Sequence, residues 1–210
     1  YTPEKGWDEN KLDMFRRHII QLGTTGVFVI YDELEGKEAV TWSYLLHTVE
    51  LPMEIQELTD EVKVIGKNKA GGVSVAHLFS SAKTEQAMVD TFFCAPTNWK
   101  NVTNAQGKTL KYPNHWHFSS TTVPCKTARF LTVMDTHGKN RPDMQVVRKG
   151  NTIQVGDWTI TCNLTEKGKA AIYVSNKTEK VSLNYDAGKK EGATIVTDPV
   201  SYTHLTLPTT

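Results

Sequence analysis

Cysteine is scarce in this sequence, with three residues, Cys94, Cys125 and Cys162, in a chain of 210. Three scattered thiols are too few for a disulfide framework and lack the paired spacing of a structural zinc site, which leaves them as small core side chains. Long apolar runs are missing as well. The longest compact one is Val27-Phe28-Val29-Ile30-Tyr31, far short of the roughly 20 residues that cross a bilayer as a helix. Charge of one sign is not in excess: 24 Lys and Arg stand against 23 Asp and Glu, a formal net charge of +1. That balance excludes a nucleic-acid-binding surplus and an acidic tail, so a polyanionic partner needs a local basic patch. There is no internal repeat, no Gly-x-Ser-x-Gly elbow, no phosphate-cradling Gly-Lys-Ser/Thr loop, no EF-hand spacing and no His-Glu-x-x-His.

What is present is a succession of short β-branched and aromatic runs separated by Gly, Asn, Asp and Pro, the signature of an all-β chain. Phe15 to Leu22 and Val27 to Tyr31 flank Gly23-Thr24-Thr25-Gly26, which reads as a hairpin whose second strand, apolar on both sides, is central and buried. The charged stretch Asp32 to Lys37 is expected to turn the chain again. From Val40 the residues alternate: Val40, Trp42, Tyr44 and Leu46 face one way, and Thr41, Ser43, Leu45 and His47 the other, until Pro52 closes the strand. Val62 to Ile65 and Val73 to Phe79 form a second hairpin around the Gly66 to Gly72 loop, and a further strand is expected over Met88 to Cys94.

Trp99 to Pro113 is a long irregular section of the kind that carries binding residues. In His115-Trp116-His117-Phe118, the two aromatic side chains share one strand face and the two imidazoles the other. A turn at Pro124 leads to an apolar strand, Arg129 to Met134. His137 to Asp143 has the composition of an exposed loop or linker. The expected organisation is therefore a partial antiparallel β-sandwich over residues 1–140 and a small C-terminal β-sandwich module over 141–199. In the latter, Trp158, Ile160, Cys162 and Leu164 alternate with Thr159, Thr161 and Asn163. The sequons at Asn101, Asn163 and Asn176 mark polar turns.

Neither end reads as a natural terminus. Tyr1 is no start residue, and Val200 to Thr209 translate a nucleotide string resembling a sequencing-library transposase adapter, so residues 200–210 are expected to be non-native.

Three blocks resemble a known family. They are Met14-Phe15-Arg16-Arg17-His18-Ile19-Ile20, Val27 to Leu34, and Trp42-Ser43-Tyr44-Leu45-Leu46-His47-Thr48-Val49-Glu50 with Pro52. In order and spacing they look like sandwich strands of the heparinase II/III-like polysaccharide lyases. Asn114 to Phe118 and Arg129 to Met134 resemble that family's next strand pair, so the likeness covers about Asp13 to Met134. It implies a larger secreted or periplasmic bacterial protein in which an N-terminal helical toroid precedes the sandwich and a small β end domain. Such lyases cleave uronic-acid polysaccharides by β-elimination. The uronate carboxylate is neutralised, a base takes the C5 proton, and an acid protonates the leaving oxygen. The family's Tyr, His and Asn or Glu residues for these steps, and its zinc site, belong to the toroid and the first sandwich strands. No residue here matches them, so the expectation is a chain with no catalytic residue and no cofactor of its own, zinc being a possibility for the parent protein alone.

The local candidates are correspondingly modest. His47 lies in the best-matched strand, yet a single strand histidine is more often structural than catalytic. His115-x-His117 has a spacing that metals use, and Asp135-x-His137 would add ligands if a β-hairpin register brought the four to one face. A solvated strand face is the alternative. Trp99, Lys100, Trp116, His115 and His117 form the candidate substrate-binding set, with Lys108, Lys111, Lys126 and Arg129 nearby in sequence. There an aromatic ring would stack on sugar and a cation would meet carboxylate or sulfate. The rival reading is an independent β-sandwich carbohydrate-binding or adhesion module without enzymatic activity.

Overall fold

In the computed structural model the described residues are 12–90, 103–108, 115–189 and 193–197. All regular structure among them is strand, and every strand pairing is antiparallel. The chain divides into two compact units between Asp143 and Met144.

Among the described residues the first unit contains nine strands. They are β1 (Leu12–Gln21), β2 (Val27–Val40), β3 (Ser43–Val49), β4 (Glu54–Glu57), β5 (Val62–Lys67), β6 (Gly72–Ser80), β7 (Thr84–Val89), β8 (His115–Thr122) and β9 (Cys125–Gly138). A six-stranded sheet runs in the order β1-β2-β9-β6-β5-β4, and a three-stranded sheet in the order β3-β8-β7. One core joins the two layers. Leu34, Val64, Ala76, Leu78, Ala128 and Phe130 from the larger sheet pack with Tyr44 and Phe118 from the smaller, and the Tyr44 and Phe130 rings lie 5.8 Å apart. Burying these apolar side chains between the layers is the main driving force for the sandwich.

The hairpin expected at the start is there: His18 pairs with Tyr31 and Gln21 with Phe28, and β2 lies inside the sheet between β1 and β9. Alternation explains its burial on both sides. Val27, Val29 and Tyr31, on the face opposite the smaller sheet, are fully buried beside Leu131 and Val133 of β9.

Three expectations need correction. Asp32 to Lys37 does not turn the chain, because β2 continues to Val40 with an irregularity between Glu35 and Val40. Its charges are carried inside the strand because β1 supplies partners directly opposite: Arg17 pairs with Asp32 and Arg16 with Glu33. The strand expected over Met88 to Cys94 is instead β7, at Thr84–Val89; residues 91–94 lie outside the described residues. Finally, β8 and β9 are consecutive but do not pair. The chain changes sheet at Val123-Pro124, so β8 sits between β3 and β7 while β9 sits between β2 and β6. Strand β4 was not legible as a strand in the sequence.

The second unit is one six-stranded sheet in chain order: β10 (Val146–Lys149), β11 (Thr152–Val155), β12 (Trp158–Cys162), β13 (Ala171–Asn176), β14 (Val181–Asp186) and β15 (Ala193–Thr197). Its first two turns are two residues long and begin with Gly150 and Gly156 at φ of 60° and 54°. Glycine adopts that conformation without steric cost, and a tight hairpin requires it there. Ile153, Val155, Trp158, Ile160, Cys162, Ile172 and Val174 are buried. The Asn163 and Asn176 side chains cap polar turns, with Asn176 Oδ1 accepting from the amides of Thr178 at 2.9 Å and Glu179 at 3.0 Å.

Candidate functional site

The sequence-selected residues are dispersed. Trp99, Lys100 and Lys111 lie outside the described residues. Trp116 packs against the sandwich core through the inner face of β8, whereas His115 and His117 occupy its outer face. Neither imidazole therefore shares a surface with Trp116. Arg129 is buried, 4% exposed, directly opposite Glu33 in the β2–β9 register, so it is not part of a surface patch. Lys108 is exposed at the end of a short turn in which Asn104 Oδ1 accepts from the amides of Gln106 and Lys108.

The outer face of the three-stranded sheet gathers three histidines. His47 stands directly opposite His117, their ring centroids 4.5 Å apart at 70°, and His115 lies two residues along the same strand. Burial, then the nearby His47 and His115, lower the His117 pKa. The four-ligand arrangement considered from sequence does not form. His115 and His117 are on the smaller sheet and Asp135 and His137 on the larger one, so no hairpin register relates them. Among the described residues no group of three or more His, Cys, Asp or Glu side chains is placed to hold a metal ion.

Asp135 and His137 instead anchor a network that sequence reasoning did not assemble. Asp135, 1% exposed, accepts from both terminal nitrogens of Arg141. The His137 Nε2 lies 3.1 Å from Asp143 and Nδ1 lies 2.8 Å from the Gly138 carbonyl. Lys63 approaches Asp143 at 4.0 Å. On neighbouring β6, His77 faces Glu61 at 3.4 Å, and its pKa is lowered because burial outweighs that carboxylate. The segment read as a linker, 137–143, is thus tied into the first unit by its own side chains. No local signal predicts this, because Arg141 and Asp143 meet their partners only when the chain folds back at Gly138, where the Arg141 amide donates to the Gly138 carbonyl at 3.1 Å.

Beside this network lie two adjoining open hollows. One, of about 560 Å³, is lined by Lys67, Asn68, Thr48, Ser74, Thr136 and His137 among others. The second, of about 430 Å³, shares Gly72 with the first and adds Lys139, Asn140 and Arg141. A rigid turn forms their common wall: Asn68 Oδ1 accepts from the Gly72 amide at 2.7 Å, and the Asn68 amide donates to the Gly72 carbonyl at 3.0 Å. The remaining side is fixed by Thr136, whose amide and hydroxyl both donate to the Gly26 carbonyl.

These observations define an all-β antiparallel protein with open surface hollows, and among the described residues no helix is long and apolar enough to cross a membrane. Neither a protein-family model nor a curated protein matches the chain.

Proposed function

We propose that this chain is the non-catalytic β-region of a polysaccharide lyase that cleaves uronic-acid-containing, glycosaminoglycan-like polymers by β-elimination. One observation carries the reading beyond the strand resemblance. Among the described residues the sandwich is unequal, six strands against three, and edge strand β1 exposes Phe15 by 57% and Ile19 by 65%. Both alternate with Arg16 and His18, so they lie on the same face as Leu34 and Phe130, the face that builds the core. Apolar side chains bared on a core-building face are what a larger sandwich leaves when part of its second layer is contributed by other chain.

On this reading the chain supports a cleft wall, and the chemistry resides in a helical toroid and preceding strands of the same protein, secreted or periplasmic. Zinc, where the parent has it, is held there too. The rival, an independent carbohydrate-binding or adhesion sandwich, has one observation in its favour, the open hollows around Asn68 and His137. The reading frame upstream of Tyr1 separates them. A helical, Trp- and Tyr-rich stretch followed by a His- and Asp-bearing strand supports the lyase. A signal peptide or another sandwich domain there contradicts it.

A further inference from the structure

We infer that the paired hollows at the β5–β6 turn and the end of β9 form a subsite for an anionic, hydroxyl-rich sugar unit, a uronate of an oligosaccharide. The inference deepens the proposed function and rests on its substrate class. It begins with charge. Lys67, Lys139, Arg141 and His137 line the two hollows, and no Asp or Glu is among the lining residues. Three acids near the hollows are each paired: Asp135 with Arg141, Asp143 with His137 and Lys63, and Glu50 with Lys69 of the β5–β6 turn at 3.4 Å. Lys67 and Lys139 are the exposed cations left to meet a carboxylate, as point charges on flexible stems.

The neutral groups fit the rest of a sugar. The side-chain amide nitrogens of Asn68 and Asn140 and the Ser74 hydroxyl can donate to a ring that carries several hydroxyls, while the Thr48 and Thr136 oxygens, whose protons go to the Leu51 and Gly26 carbonyls, can accept. Val49 and Val73 provide an apolar wall for the C–H face of the ring. The volumes, about 560 and 430 Å³, lie within the range of about 300–1,000 Å³ typical of small-ligand sites.

Close approach is built in. At Gly72 a side chain would collide with Asn68 Nδ2 at 2.7 Å, and at Gly71, where φ is +90°, it would press on the Lys139 stem at 3.0 Å. The two glycines let the turn and Lys139 lie together on the rim. Hydrogen bonds already hold Asn68, Thr136 and His137 in place, so a ligand would meet a pre-formed surface at a reduced ordering cost.

The test is titration of the full chain with a uronate tetrasaccharide, followed by amide chemical shifts, with maltotetraose as the neutral comparison. Shifts should concentrate at residues 67–74 and 136–141, and maltotetraose should bind at least tenfold more weakly. The K67Q/K139Q variant should lose at least tenfold in affinity, and K177Q, at an exposed turn of the second unit, should bind like the parent. Absence of binding, shifts elsewhere, equal binding of the neutral sugar, or an unchanged K67Q/K139Q would each overturn the subsite. A lyase toroid upstream with no binding here defeats only the subsite; binding here with no toroid upstream defeats only the lyase reading.

Discussion

Arg17 straddles Asp32 across the β1–β2 pair, its Nε and one terminal nitrogen each 2.7 Å from a different carboxylate oxygen. The acid is 2% exposed and the guanidinium lies 5.6 Å from the Tyr44 ring. This bidentate pair closes the edge of the core where the smaller sheet ends. The Arg17 pKa is raised, first by the hydrogen bonds to Asp32. Removing one partner strands a buried carboxylate, whereas replacing both by apolar side chains does not. R17M is expected to destabilise the chain by about 2–3 kcal/mol, below the roughly 3–5 kcal/mol of a fully buried pair because Arg17 is partly exposed. R17M/D32L should recover most of the loss. Urea denaturation of both variants checks it, and equal stability of R17M and parent would contradict the role given to the pair.

Phe118 is fully buried where the two sheets meet. F118A should cost about 3–5 kcal/mol through lost contacts and an unfilled cavity. A cost below about 1 kcal/mol in the same denaturation measurement would mean the three-stranded sheet does not pack on the larger one as described.

Gly26 has a φ of +80°, and a β-carbon there would lie 2.6 Å from the Thr136 carbonyl oxygen of β9. Both backbone strain and the collision oppose any side chain, so G26A should lower stability by about 2 kcal/mol or more. The hollow bordered by Thr136 should distort with it, visible as shifted amides at 136–138.

His18, His77 and His117 all have lowered pKa values, in each case chiefly through burial. Above about pH 6.5, the ordinary histidine value, the rings are neutral in folded and unfolded chains alike, and stability does not depend on them. As pH falls below that value the unfolded chain takes up protons first, so stability declines until the folded-state pKa values are passed. The melting temperature should therefore fall from pH 7 toward pH 5.5. H77Q should flatten that slope by removing the ring that faces Glu61, Lys63 and Asp135. A melting temperature that rises on acidification would contradict the burial of these rings.

Much of the first unit was legible from local pattern. Residues 15–31 announced a hairpin by two apolar runs around Gly23 to Gly26, and Trp42 to His47 announced a two-faced strand by strict alternation. What was not legible depended on partners distant in sequence. Asp32 and Glu33 read as turn residues until Arg16 and Arg17, some 15 to 17 positions earlier, are placed opposite them. The separation of β8 from β9 follows from pairings with β3, β7, β2 and β6, and no property of Val123-Pro124 reveals it. The candidate site suffered likewise. His115 and Trp116 are neighbours in sequence but face opposite ways, while Lys67 and His137 meet in one hollow only because β6 pairs with β9 as well as β5.

The bared apolar face of β1 has a solution consequence. With Phe15 and Ile19 exposed on an edge strand, the chain alone should self-associate as its concentration rises. F15S/I19S should shift it toward monomer in sedimentation velocity. Monomeric behaviour of the parent at high concentration would remove the main structural support for a missing layer.

The most direct measurement is formation of unsaturated uronates, followed by ultraviolet absorbance, from heparin, heparan sulfate and alginate, with this chain alone and with the protein encoded by the complete reading frame. The expected result is no product from the chain and steady product from the complete protein on at least one of the three polymers. Product from the purified chain itself, or none from the complete protein on any uronate polymer, would contradict it.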